Sequence, residues 1–101
     1  MSFASGSEYI FMSNRKKYLL FESPRHSWLQ VPISELKELD ILEDISPFSF
    51  RDEQFAYLEE DMDMGTFMME RQAAGKPLDW ESEIDRHEVD VFPHLQSIRS
   101  I

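Results

Sequence analysis

At 101 residues with no cysteine, the chain has room for one modest domain and excludes disulfides, thiolate metal sites and a cysteine nucleophile. Ten basic residues against twenty acidic ones give a net charge of −10, which repels phosphate backbones and argues against direct nucleic-acid binding. No apolar run reaches the ~18–20 residues that span a bilayer, and the first residues lack the basic-then-apolar order of a secretory signal, so a cytoplasmic protein without membrane contact is expected.

Residues 1–14 are small and polar apart from Phe3 and the run Tyr9-Ile10-Phe11-Met12, residues 14–17 form a basic turn, and 1–16 read as a tail or an edge strand. Residues 17–101 read as a single domain. Tyr18-Leu19-Leu20-Phe21 is a continuous apolar run, the mark of a buried strand. Ser23-Pro24 signals a loop, and Trp28-Leu29-Gln30-Val31 reads as the hairpin partner. Pro32 cannot donate to a ladder but suits a first helical turn. Ile33, Leu36 and Leu39 then form a stripe over a short helix, about 33–39, with Glu35, Lys37 and Glu38 outward. Residues 40–46 form a connector that buries Ile41 and Ile45.

The stretch 47–75 organises the rest. Phe48 and Phe50, then Phe55 and Tyr57, alternate with smaller or polar residues, the period of half-buried strands. Arg51-Asp52-Glu53-Gln54 between them has hairpin length. Pairing Phe50 with Phe55 and Phe48 with Tyr57 would set four rings on one face. Asp61 or Asp63 is positioned to cap the next helix, expected over 64–74 with Met64, Phe67, Met68 and Arg71 on one face. Gly75, followed by Lys76-Pro77, ends it.

Beyond that the pattern weakens. Trp80 and Ile84 are four apart in a charged stretch and read as an exposed helical turn or a loop. Val89 to Phe92 alternates like a short strand that Pro93 would end, and Leu95, Ile98 and Ile101 recur every three residues, a helical hint. The fold expected is α+β: a small antiparallel sheet from two β-hairpins, each followed by a helix, in the order ββαββα, with an added C-terminal strand or helix.

The negative charge is concentrated. Residues 35–63 hold eleven acidic and two basic side chains, a net of −9. Within them Glu43, Asp44, Asp52, Glu53, Glu59, Glu60, Asp61 and Asp63 are the candidate partner-binding residues, since such a surface attracts basic protein surfaces, including those that hold nucleic acid. Asp61, Asp63 and Gly65 superficially suggest a calcium loop, but the glycine offset is wrong and no later bidentate Glu is in register, so a cap and a solvated acidic face is the better reading. His26, His87 and His94 share no ligand spacing, and no glycine-flanked serine marks a nucleophile. No metal, cofactor or catalytic residue is assigned. Trp28, Phe48, Phe50, Phe55 and Tyr57 could stack bases, but they sit among carboxylates rather than lysines and arginines, and core packing is preferred.

The segments His26-Ser27-Trp28-Leu29-Gln30-Val31-Pro32, Glu35-Leu36 with Leu39, Ile41 with Ile45-Ser46, Phe48-Ser49-Phe50 and, most specifically, Ala56-Tyr57-Leu58-Glu59-Glu60-Asp61-Met62-Asp63, with Phe67, resemble a family of small uncharacterised bacterial proteins encoded by phages, plasmids and other mobile elements. The resemblance spans about 18–75, with a similar Ser97-Ile98-Arg99-Ser100 near the end. Ser27 and Asp40 stand where that pattern has glycine, Phe48 and Phe50 where it has tyrosine, and Met62 where it often has cysteine. The resemblance implies a genomic context and no mechanism. With the charge, it leads to the expectation of a non-enzymatic module that inhibits a host defence system by occupying a basic nucleic-acid-binding surface. The alternatives are a structural or regulatory subunit, including a homodimer formed through the Met and Phe helix face or a sheet edge, and, less favoured, a small enzyme or metal-binding protein.

Overall fold

The computed structural model describes residues 17–90 and 95–99. The apolar run after Lys17 becomes β1 (Tyr18–Glu22), which turns back through Ser23 and Pro24 into β2 (Ser27–Pro32). Pro32 ends that ladder and leads into α1 (Ile33–Glu38), which buries Ile33 and Leu36 as the stripe requires. A 3-10 turn (Leu42–Asp44) leads to β3 (Phe50–Arg51) and β4 (Phe55–Glu59), then α2 (Asp63–Ala73). The chain continues through α3 (Trp80–Glu83) into β5 (Ile84–Glu88), and β6 (Gln96–Ser97) closes the described part.

The architecture is α+β, with a sheet larger than the two hairpins alone would make. Six strands lie in the order β5-β1-β2-β4-β3-β6. The two expected hairpins are present, and β2 joins them by pairing with β4. The sheet is mixed rather than antiparallel, because β5 runs parallel to β1. β5 reads Ile-Asp-Arg-His-Glu, with only Ile84 buried, so hydrophobic alternation gives no sign of it. Its charged side chains suit an edge strand, where they discourage further pairing.

Three local expectations are corrected. Phe50 pairs with Tyr57, and Arg51 with Ala56, rather than Phe50 with Phe55 and Phe48 with Tyr57. The cause is Asp52, whose Oδ1 accepts from the backbone N–H groups of Gln54 (2.9 Å) and Phe55 (2.7 Å) and fixes the turn two residues away from the expected register. The slip is even, so both strands keep their faces. Residues 95–99 form no helix: Gln96 and Ser97 pair with Arg51 and Phe50, and Ile98 enters the core. The expected helical turn at Trp80 is present, its entry held by Asp79 and Glu83, but it is not exposed as expected, since the Trp80 ring packs on the core. The expected tail or edge strand at 1–16, the strand end at 91–92 and Ile101 lie outside the described residues.

Both longer helices cover one sheet face. There Leu20, Leu29, Val31, Ala56 and Leu58 meet Ile33 and Leu36 of α1 and Met64 and Phe67 of α2 in one core. Arg71 shares the apolar row of α2 and is buried with them. Its guanidinium donates to Tyr18 Oη (2.7 Å) and to the Lys76 carbonyl (2.7 Å), and lies 3.6 Å from Glu35 and 3.5 Å from Glu83. Tyr18 in turn donates to Glu35 Oε2 at 2.6 Å. Burial first, and then that bond to a carboxylate, push the Tyr18 phenol above its ordinary range. One cation thus joins β1, α1, α2 and α3. No helix among the described residues is long and apolar enough to cross a membrane.

Both α1 and α2 end in a left-handed residue. After α2 it is Gly75 (φ 78°), with Lys76 N–H bonded to Arg71 O and Gly75 N–H to Gln72 O. After α1 it is Asp40 (φ 61°), with Ile41 N–H bonded to Leu36 O and Asp40 N–H to Lys37 O. An L side chain is strained there, which glycine relieves. Asp40→Gly is expected to stabilise the fold by about 1 kcal/mol in urea unfolding, with the m-value unchanged.

Candidate functional site

Strand alternation builds the sheet face that the helices leave open. In β2, Leu29 and Val31 point to the helices, so Trp28 and Gln30 point away. The same alternation places Phe21, Phe50, Tyr57 and Glu59 on that side. Register aligns Phe21, Trp28 and Glu59 in one row and Gln30, Tyr57 and Phe50 in the next. The rings meet at tilted angles, Phe21 with Tyr57 and Trp28 with Phe50 both at 6.2 Å between centroids. His26, set by the Ser23 turn, lies 5.7 Å from Trp28. Tyr57 donates to Asp52 Oδ2 at 2.6 Å, locking the far end of this layer. Partial burial raises the Asp52 pKa, but the bonds from Tyr57 and from the Phe55 and Gln54 N–H groups outweigh it and leave the carboxyl below its ordinary range.

At the other end of β4 the chain turns a corner into α2. Asp63, the first helical residue, has no exposed surface. Its carboxylate accepts from Ser46 N (2.9 Å), Ser46 Oγ (2.6 Å) and Ser49 Oγ. Ser49 Oγ also accepts from Glu59 N at 3.0 Å, which accounts for a fully buried serine. No side chain caps the start of α2; the turn that enters it is held instead by Glu59. The Glu59 carboxylate accepts from the backbone N–H groups of Asp61 (3.0 Å), Met62 (2.7 Å) and Asp63 (3.4 Å). The expected cap by Asp61 or Asp63 is absent: the N-cap position is Met62, and the Asp63 carboxylate is taken up by Ser46 and Ser49.

The turn at 46–49 and the corner at 59–63 are thereby held side by side, and between them and β2 lies a concavity of about 490 Å³. His26, Trp28, Phe48, Phe50 and Met62 line it, with the carboxylates Glu59 and Asp61. Phe48 is 69 % exposed and Met62 57 %, so the expected core packing fails for Phe48. It sits in a Pro47 turn rather than on a strand, with its N–H held by Ser46 Oγ. Tyr57 is buried, but on the open face outside the helix-side core, and Trp28, Phe50 and Phe55 are only half-buried.

The eight candidate carboxylates have different fates. Asp63 is buried, Asp52 and Glu59 hold backbone turns, and Glu60 accepts from Ser27 N at 3.0 Å while staying exposed. Glu43, Asp44, Glu53 and Asp61 are exposed. Glu60 and Asp61 occupy the corner, and Glu43 and Asp44 precede Ser46, which is bonded to it. Glu53 and Asp52 lie at the opposite end of β4, roughly 15–20 Å away along the strand. The acidic segment is therefore split between two ends of the sheet. No three His, Asp or Glu side chains among the described residues are grouped to hold a metal ion.

Glu59→Ala leaves the N–H groups of the turn at 61–63 without their acceptor and is expected to cost about 1–2 kcal/mol, whereas exposed Glu53→Ala should stay within about 0.5 kcal/mol of the parent, both measured by chemical denaturation. No protein-family model, no curated protein and no solved structure matches this chain.

Proposed function

We propose that the protein is a non-enzymatic binding module that engages a basic protein surface through its acidic corner. A nucleic-acid-binding surface of a host defence complex is the kind of partner its charge would occupy, as an inhibitor of the anti-CRISPR or anti-restriction type. The observation that supports this best is the pairing of large exposed apolar side chains, Phe48 and Met62, with exposed Glu60 and Asp61 at one rigid corner. Apolar anchors ringed by charge are how interfaces combine affinity with steering.

A homodimer or a structural subunit built on the Met and Phe face of α2 draws less support. Met64 and Phe67 of that face are core, and the β5 edge presents Asp85, Arg86, His87 and Glu88.

Charge reversal at Glu43, Asp44, Glu60 and Asp61 tests the proposal without touching the buried clasp. Captured on the parent protein from nuclease-treated bacterial lysate, a basic partner should be released by raising salt from about 0.1 to about 0.5 M, because exposed charges are screened over that range. The reversed variant should fail to capture it. Equal capture by the variant, or retention through the high-salt wash, would overturn the reading.

A further inference from the structure

The side of α2 that faces away from the sheet carries no charge. Met64, Phe67 and Arg71 are buried against the core, so at about 100° per residue the opposite side presents Met62, Gly65, Thr66, Met69, Gln72 and Ala73. In a chain of which 30% is charged, an outward helix face would ordinarily hold several charged residues, and this one holds none. Among the described residues the exposed large apolar side chains are Phe48, Met62 and Met69, the last 71% exposed. They make one surface. Phe48 and Met62 flank the groove at the corner, and Met69 follows Met62 two turns along α2, about 10 Å away.

Shape and charge restrict what can cover this surface. The α2 backbone is bonded within the helix and offers no edge for strand pairing, so an occupant must be held by side chains. Gly65 and Thr66 lie between the two methionines and are small, which lets a second helix approach to the usual interaxial distance of roughly 8–10 Å. Methionine is unbranched and repacks around an incoming apolar stripe. The charges beside the surface have one sign. From residue 59 to residue 73 the exposed and half-exposed charged side chains are Glu59, Glu60, Asp61 and Glu70, because Asp63 and Arg71 are buried. Glu59 is taken up by backbone N–H groups, which leaves Glu60, Asp61 and Glu70 as the rim. A second copy of the chain would bring the same rim and the same net charge of −10 against it, which is repulsive, whereas a basic helix meets it with opposite charge.

We propose that the outer face of α2, anchored by Met62 and Met69 with Phe48 at its end, docks an amphipathic helix of a partner protein whose apolar stripe is flanked by lysine or arginine. This docking rests on the acidic-module reading and names the part of the partner that is gripped. The carboxylates steer the basic helix in, and the methionines bury its apolar stripe.

The test is an NMR titration of the full chain, ¹³C-labelled at its methionine methyl groups, with a capped synthetic helix of about 18 residues that has leucine along one face and lysine elsewhere. The Met62 and Met69 methyl signals should shift saturably, and that of buried Met64 should stay in place. A peptide of the same composition with its leucines scattered around the helix, and one with glutamate in place of lysine, should each bind at least about tenfold more weakly. Met62→Gln combined with Met69→Gln, at exposed positions where glutamine preserves the helix, should weaken the first peptide about tenfold, with circular dichroism unchanged. Asp61→Asn combined with Glu70→Gln should weaken it about threefold, and Glu53→Gln, at the far end of β4, should leave it unaltered. Equal binding of the scattered peptide, or full affinity in the double glutamine variant, would overturn the docking face. Methionine signals that move with protein concentration before any peptide is added would make the occupant a second copy and overturn it as well. If the double glutamine variant still captures a basic partner from lysate in a salt-sensitive way, the docking face fails and the acidic-module reading stands. If the parent captures no basic protein, the acidic-module reading fails, and the docking with it.

Discussion

Asp63 is the constraint on which the candidate site depends. A carboxylate without exposed surface is tolerated only when donors replace the water it has lost. Here the replacements come from a different part of the chain: the backbone N–H and hydroxyl of Ser46 and the hydroxyl of Ser49. Hydrogen bonds to a charged group contribute roughly 1.5–3 kcal/mol each, and the partial positive charge of the α2 N-terminus adds to them. Satisfying this one group forces the turn before β3 against the start of α2. Ser49 extends the linkage by accepting from Glu59 N, and Glu59 returns it by holding the turn that enters α2. The walls of the groove are consequences of that closed circuit. Phe48 is carried on the turn that Asp63 holds, and Met62 on the corner that Glu59 holds.

The other end of α2 is fixed by the opposite charge. Arg71 is buried eight residues further along, where it meets Tyr18, Glu35, Glu83 and the Lys76 carbonyl. An isolated eleven-residue helix is marginal in water, and this one carries Gly65 and Thr66 in its first turns. Buried polar anchors at both ends, with Met64 and Phe67 packed between them, specify its position as well as its formation. A rigid corner is what a recognition site needs, because side chains already ordered lose less entropy on binding. The charge that dominates the composition therefore does two jobs. Some carboxylates build the corner, and others are left at its surface.

Much of the fold was legible because it rests on periodicity. The runs at Tyr18 and Trp28, the Ile33 and Leu36 stripe and the Gly75 stop each announced an element whose bounds differ by a residue or so in the structure. The parts that escaped rest on side chains bonding to distant backbone. Asp52 reset the hairpin register, and nothing local distinguishes a carboxylate that will bind two N–H groups from one that will face water. For the same reason nothing in the sequence separates buried Asp63, or Glu59 that holds the turn into α2, from the solvated acids around them. β5 was invisible because an edge strand with one buried residue has no alternation to detect. The groove was half visible. The aromatic pattern offers Trp28 and Phe50 as partners on one sheet face, though core packing is the reading it favours, and Phe48 leaves the strand only because Ser46 and Pro47 turn the chain there. Arg71 was correctly placed on the apolar row of α2, while the three elements that converge on it come from remote sequence.

The most direct test of this account is a double-mutant cycle between Asp63 and Ser49, read by urea unfolding of the parent, Asp63→Asn, Ser49→Ala and the double variant. If the buried carboxylate and the serine form one clasp, the two losses will be strongly non-additive, with a coupling of about 1–3 kcal/mol. The amide of Glu59, bonded to Ser49, should also lose hydrogen-exchange protection in Ser49→Ala. Losses that add within about 0.5 kcal/mol, with Glu59 protection unchanged, would mean that the turn and the corner are held independently and would contradict the account.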